Sequence, residues 1–182
     1  MFIQTESTPN PLTLKFLPGV AVMNQGTAFF TDRDSAKRSP LATELFKIEN
    51  VNAVFLGSDF VTITRAEEAT WEILKPSILT AITEHFVAGR KVISEEAKTS
   101  EASGEETEIV KQIKELIETR VRPAVAQDGG DIIYKDFKDG VVQLELHGSC
   151  SGCPSSTATL KQGIENMLKH YVPEVISVEA VA

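Results

Sequence analysis

Short apolar runs of strand character alternate with helical stretches over the first ninety positions of this chain. Phe2 to Ser7, Thr13 to Leu17, Ala28 to Thr31, Ala53 to Leu56 and Val61 to Thr64 are rich in β-branched and aromatic residues, which predicts strands. Turn signals at Pro9-Asn10-Pro11, Pro18-Gly19 and Gly57-Ser58-Asp59 separate them. Ser39-Pro40 precedes Leu41, Leu45 and Phe46, so a short helix is predicted with Ser39 as its cap and proline in its first turn. A longer helix is predicted from about Thr70 to Ala88, with Trp71, Leu74, Ile78, Ile82 and Phe86 on one stripe.

The last third of the chain has a different pattern. Ile109, Ile113, Leu116, Ile117 and Val121 form a helical stripe from Glu108, with a kink expected at Pro123 and a stop at Gly129-Gly130. Ile132 to Phe137 and Val141 to His147 read as a hairpin around Asp139-Gly140. Within it Val142, Leu144 and Leu146 alternate with Gln143, Glu145 and His147, which gives one buried face. Leu160, Ile164, Met167, Leu168 and Tyr171 mark an amphipathic helix, followed by a strand near Val175 to Val178.

Between these halves the periodicity disappears. The stretch from Ser94 to Glu106 holds five Glu, one Lys and no large apolar residue, too little apolar surface to offset the entropy of ordering it. The reading is therefore α+β: two small α+β domains, 1–92 and 108–182, joined by a flexible acidic linker at 93–107, with the order α-β-β-α-β in the second. The two halves share no repeat.

Composition narrows the function by exclusion. Of 182 residues only two are cysteine, too few for a disulfide scaffold, which favours a reducing compartment. A net charge of -8 repels phosphate backbones, so no nucleic-acid partner is expected. No run approaches the roughly 18 apolar residues of a membrane span, so no membrane partner is expected either. Met1 to Glu6 lacks the basic region and apolar core of a secretory signal. A cytoplasmic protein is expected, with a mature organellar form as the alternative.

The chemistry concentrates in Gly148-Ser149-Cys150-Ser151-Gly152-Cys153-Pro154-Ser155-Ser156. Pro154 suits the first turn of a helix, which would put Cys153 near its N-cap and lower both thiol pKa values through the helix dipole. Gly148 and Gly152 let the loop turn tightly. Two thiolates are half of a closed four-ligand site, and no third cysteine completes it. Three functions fit: a [4Fe–4S] cluster held by Cys150 and Cys153 of each of two chains, a thiol–disulfide oxidoreductase, or a zinc site shared in the same way, with a pair of inert buried thiols as the bland alternative that the glycine- and serine-rich loop disfavours. The oxidoreductase is disfavoured because only one helix and one strand follow Cys153. Ligand count favours the shared cluster.

These residues also carry a resemblance. The cysteine loop, with Thr159-Leu160-Lys161-Gln162-Gly163-Ile164-Glu165 behind it, resembles the C-terminal domain of the NifU-like (Nfu) iron–sulfur proteins. Arg122-Pro123-Ala124-Val125-Ala126-Gln127-Asp128-Gly129-Gly130-Asp131 is similar to that domain's other signature. Thr8-Pro9-Asn10-Pro11-Leu12-Thr13-Leu14-Lys15-Phe16 resembles the N-terminal domain of the bacterial and mitochondrial type. The resemblance implies a non-enzymatic carrier that receives a preassembled [4Fe–4S] cluster from upstream assembly machinery and delivers it to apo iron–sulfur proteins. It implies Cys150 and Cys153 as cluster ligands, a cluster-bridged homodimer, and an N-terminal domain that makes partner contacts. A [2Fe–2S] cluster or zinc is the alternative cargo. The compartment it implies is the bacterial cytoplasm or, alternatively, the mitochondrial matrix.

The remaining polar candidates have bland readings. His147 is expected on the outer face of its strand, and His85 and His170 as solvated residues near helix C-termini. Asp128 and Asp131 flank the double glycine and read as turn caps, while Gly129 and Gly130 serve the turn and permit a close approach to the cysteine loop. Arg33, Lys37 and Arg38 read as a solvated loop face, and Trp71 as core. No nucleophile–base set, phosphate-cradling loop or catalytic metal triad is present, so no enzyme activity is expected.

Overall fold

The computed structural model describes residues 1–94, 107–152 and 154–181. Two compact units, Met1–Thr99 and Ser100–Ala182, each gather their own hydrophobic core. The linker expected at 93–107 lies outside the described residues over 95–106.

In the N-terminal unit β1 (Gln4–Ser7), β2 (Thr13–Leu17), β3 (Ala28–Phe30), β4 (Val51–Leu56) and β5 (Val61–Arg65) form an antiparallel sheet in the order β1-β2-β5-β4-β3. Strand alternation puts Phe16, Val54, Leu56, Val61 and Ile63 into one core with Leu41 and Leu45 of α2 (Pro40–Leu45) and Leu74, Ile78 and Ile82 of α3 (Trp71–Val87). Ser39 caps α2 as expected, its Oγ accepting from the Ala42 amide at 3.1 Å with Pro40 in the first turn. A four-residue turn of helix, α1 (Arg33–Ala36), replaces the expected loop: Asp32 Oδ1 accepts from the Ser35 amide at 2.7 Å and nucleates it. Arg38 then lies over the Phe30 ring, and Lys37 pairs with Asp34.

His85 departs from its solvated reading. It sits on the buried side of α3 at 1% exposure, edge-on to Phe86, and neither ring nitrogen has a hydrogen-bond partner among the described residues. Burial, helped by the Arg90 charge, holds its pKa below the ordinary histidine value; Glu44 and the Arg90 backbone oppose this.

The C-terminal unit opens with one helical rod in three parts: α4 (Glu108–Leu116), a π-helical turn (Ile117–Val121) and α5 (Arg122–Gln127). Thr107 caps its start, its hydroxyl accepting from the Val110 amide. The kink expected at Pro123 is this wide turn. Proline lacks the amide that would bond to residue 119, and the Arg122 amide bonds five residues back to the Ile117 carbonyl. The β6 (Gly130–Lys138) and β7 (Val141–Gly148) hairpin follows, with Asp139 and Gly140 both at positive φ (52° and 79°), the two-residue turn that Asp-Gly predicts. From β7 the chain crosses through α6 (Pro154–Tyr171) to β8 (Ser177–Val181), parallel to β7. The order is the expected α-β-β-α-β, with the last strand later than its predicted position. Ile164 and Leu168 face the core, whereas Tyr171, expected on the same stripe, is 46% exposed under the Arg120 guanidinium.

One ion pair anchors the rod to the sheet. Arg122 donates through Nε and Nη2 to both Asp131 oxygens at 2.8 Å, and through Nη1 to Glu118. Asp131 is buried and its Oδ1 also accepts from the Ile132 amide, so this residue is an ion-pair anchor rather than a turn cap. The fork fit with Asp131, reinforced by Glu118, raises the Arg122 pKa further above its already high value.

Two outcomes follow. Arg122→Ala removes the cation from a buried carboxylate and should destabilise the C-terminal unit by about 2–3 kcal/mol in urea titration, less than a fully buried pair because water reaches Arg122; Arg122→Lys should recover part of that. A histidine held neutral by burial adds stability above its unfolded pKa of about 6.5, and that stability is lost as pH falls. Urea midpoints read by the single tryptophan, Trp71, should therefore drop below about pH 6.5, and His85→Leu should flatten this part of the profile.

Candidate functional site

Three segments of the C-terminal unit converge on the cysteine loop: the end of α5, the start of β6 and the end of β7. The rod stops at Gly129, whose φ of 77° turns the chain into β6. At the far end of the hairpin Gly148 pairs in register with Gly130, and its φ of 64° turns the chain out of the sheet. Ser149, Cys150, Ser151 and Gly152 then lead towards α6, which starts at Pro154 as expected for a proline in a first turn.

Hydrogen bonds hold this loop against the turn at 128–130. Ser149 Oγ donates to the Asp128 carbonyl, and the Ser149 amide donates to the Gly129 carbonyl at 3.3 Å. Ser151 bonds back to the Gly148 carbonyl through its amide (3.1 Å) and its hydroxyl (2.8 Å). Thr157 Oγ1, in the first turn of α6, donates to the Cys150 carbonyl at 3.1 Å. Gly130 supplies the seat. A methyl group at that position would overlap the Cys150 sulfur and would lie 2.9 Å from the His147 carbonyl. The close approach expected of the double glycine is therefore present, and only glycine allows it.

Cys150 itself is 6% exposed and belongs to the apolar core of the unit. Burial pushes its thiol up to about 11; the carboxylates of Asp128 and Asp131 add to the rise and the Ser149 hydroxyl opposes it. Burial thus opposes the thiolate expected from the helix dipole at Cys150 in this arrangement. Cys153 lies outside the described residues. Among those that are described, no three His, Cys, Asp or Glu side chains are grouped to hold a metal.

His147 stands opposite Asp131 in the hairpin register, and its Nε2 lies 2.7 Å from Glu145 Oε1. Burial would raise the Glu145 carboxyl, but bonds from Lys135 and His147 hold it below its ordinary value. His147 is thus tied into a polar row on its strand. His170 is exposed, as expected.

The sequence reading missed two parts of this site: the Ser149 ties and the Arg122–Asp131 pair beneath the turn. A serine beside a cysteine carries no signal of which backbone it will meet. Arg122 and Asp131 both lie within the second signature stretch, which hinted at their importance but not at their contact.

Soft thiolate donors suit iron–sulfur clusters and zinc, and a seat without a Cβ leaves room beside the sulfur. Comparison with known proteins places both halves of the chain in described families. Residues 3–89 match the family described as "Scaffold protein Nfu/NifU N terminal", and residues 113–179 match "NifU-like domain". The human protein named "NFU1 iron-sulfur cluster scaffold homolog, mitochondrial" is 54% identical over 183 residues, covering 100% of this chain and 72% of that protein. "NifU-like protein 4, mitochondrial" of Arabidopsis thaliana is 51% identical over 185 residues, covering 98% of this chain and 65% of that protein. A solved NifU-like protein from Saccharomyces cerevisiae is 30% identical with a TM-score of 0.48, covering 53% of this chain and 87% of that one. With an N-terminal Nfu domain followed by a C-terminal NifU-like domain, the chain belongs to the Nfu family of iron–sulfur scaffold proteins.

Proposed function

We propose that this protein is an iron–sulfur cluster carrier in which Cys150 and Cys153 of each of two chains hold one [4Fe–4S] cluster for delivery to apo-proteins. The observation that carries the proposal is the glycine-bounded cysteine loop at the start of α6, with the Cys150 sulfur against the bare backbone of Gly130. The scaffold names of the relatives support an iron–sulfur cargo. Ligand count supports sharing between chains, because two thiolates are half of what a cluster requires.

Transfer proceeds as ligand exchange. An acceptor thiolate forms a bond to iron as a carrier thiolate leaves, and the departing sulfur takes up a proton. The buried seat favours the protonated thiol at Cys150, so return to it weakens competition for the iron. No enzyme activity is required. The domain boundaries follow the sequence reading: 1–92 contacts partners, and the linker at 93–107 tethers it to the cluster domain at 108–182. The upstream donor is the machinery that assembles the cluster. The word mitochondrial in the relatives' names favours the matrix over the bacterial cytoplasm.

Anaerobic reconstitution with iron and sulfide should yield about four iron and four sulfide per dimer, read by metal and sulfide counting with mass measurement. Cys150→Ser and Cys153→Ser should each remove most of that iron. Two iron per dimer would indicate a [2Fe–2S] cargo, and zinc retained with no affinity for a cluster would point to a structural metal. Deleting residues 94–106 should leave cluster binding intact and slow transfer about tenfold or more at low protein concentration, through lost effective concentration; unchanged rates would remove the tether's role.

A further inference from the structure

Cys150 is buried, yet a ligand shared with a second chain has to present its sulfur at the surface. The glycines that flank it show how both are met. Gly148 and Gly152 sit at φ of 64° and 79°, and a Cβ at Gly152 would meet nothing within 4 Å. Residues 149–151 thus lie between two glycines, whose backbone rotates at least steric cost. Ser151 and Thr157 bond to the Gly148 and Cys150 carbonyls next to the loop, and the bonds that cross to the facing turn are those of Ser149. Ser149 is 3% exposed and tied twice to the facing turn, by its hydroxyl to the Asp128 carbonyl and by its amide to the Gly129 carbonyl.

We propose that Ser149 is a positioning residue that latches Cys150 into the Gly130 seat, and that opening of this latch presents the sulfur to a metal shared with a second chain. The purpose of the latch rests on the carrier reading; its geometry does not. In the latched position the sulfur is shielded from oxidants and electrophiles. The latch also competes with the metal for Cys150, so it favours hand-over once an acceptor thiolate has attacked.

Iodoacetamide alkylation of Cys150, resolved by peptide mass spectrometry on the full-length chain with chelator and no metal, tests this directly. Ser149→Ala should react at least about fivefold faster than the natural chain, and Ser149→Thr, which keeps the hydroxyl, should stay within about twofold. Loss of the hydroxyl near the sulfur would by itself raise the thiol pKa and slow the reaction, so acceleration reports access. A Ser149→Ala rate within twofold of the natural chain overturns the latch, as does equal acceleration in Ser149→Thr. If Ser149→Ala does not fold, the natural chain decides. Opening for alkylation at least about tenfold more frequent than opening for hydrogen exchange of the β7 amides supports a local latch, and equal frequencies overturn it. Because these measurements use no metal, failed cluster reconstitution would remove the carrier reading and leave the latch result standing.

Discussion

The close approach of Gly130 to the Cys150 sulfur is the constraint around which the C-terminal unit is arranged. It demands a residue without a Cβ at the start of β6, and it demands that the turn before it and the loop after β7 lie in one layer. The first demand is met by sequence alone. The second needs the rod and the hairpin locked together, which is what the Arg122–Asp131 pair accomplishes one residue from the seat. A carboxylate this buried is tolerated only with a full complement of partners, and the guanidinium fork with the Ile132 amide supplies one.

The π-helical turn belongs to the same arrangement. An extra residue in the rod changes the phase of everything after it, so Arg122 and Val125 point differently from where an uninterrupted α-helix would put them. Val125 remains in the core while Arg122 reaches Asp131. Pro123 removes the amide that regular helix would have used there, so the wide turn forfeits little hydrogen bonding.

Local chemistry made much of the fold legible. Thr13–Leu17 and the alternation of Val142 and Leu144 follow from periodicity, and Asp139-Gly140 and Ser39-Pro40 act through backbone preferences within a few residues. What stayed hidden depends on contacts made at a distance. Arg122 and Asp131 meet only because β6 folds back on the rod. His85 lies one turn after Ile82 on α3 and inherits its buried face, a position where helix-end reasoning predicts a solvated cation instead. Tyr171 shows the reverse: its stripe is apolar, but its hydroxyl and the Arg120 cation keep it at the surface. The CxxC pattern pointed to the cysteine loop, while the burial of Cys150 required three separate segments to be placed.

That burial changes what the half-site means. In the carrier proposed above, two thiolates per chain suit a cargo held between separable partners, because neither chain alone satisfies it. A ligand with a competing home within its own chain adds a second bias towards release. In the proposed carrier, the Cys150 sulfur that leaves the metal finds a seat where packing and desolvation favour the free thiol. Affinity for the cargo is then the difference between two bound states of the same sulfur, not the strength of one. Such a carrier needs that difference to be small, and Gly130 and Ser149 are the residues proposed to set it at Cys150.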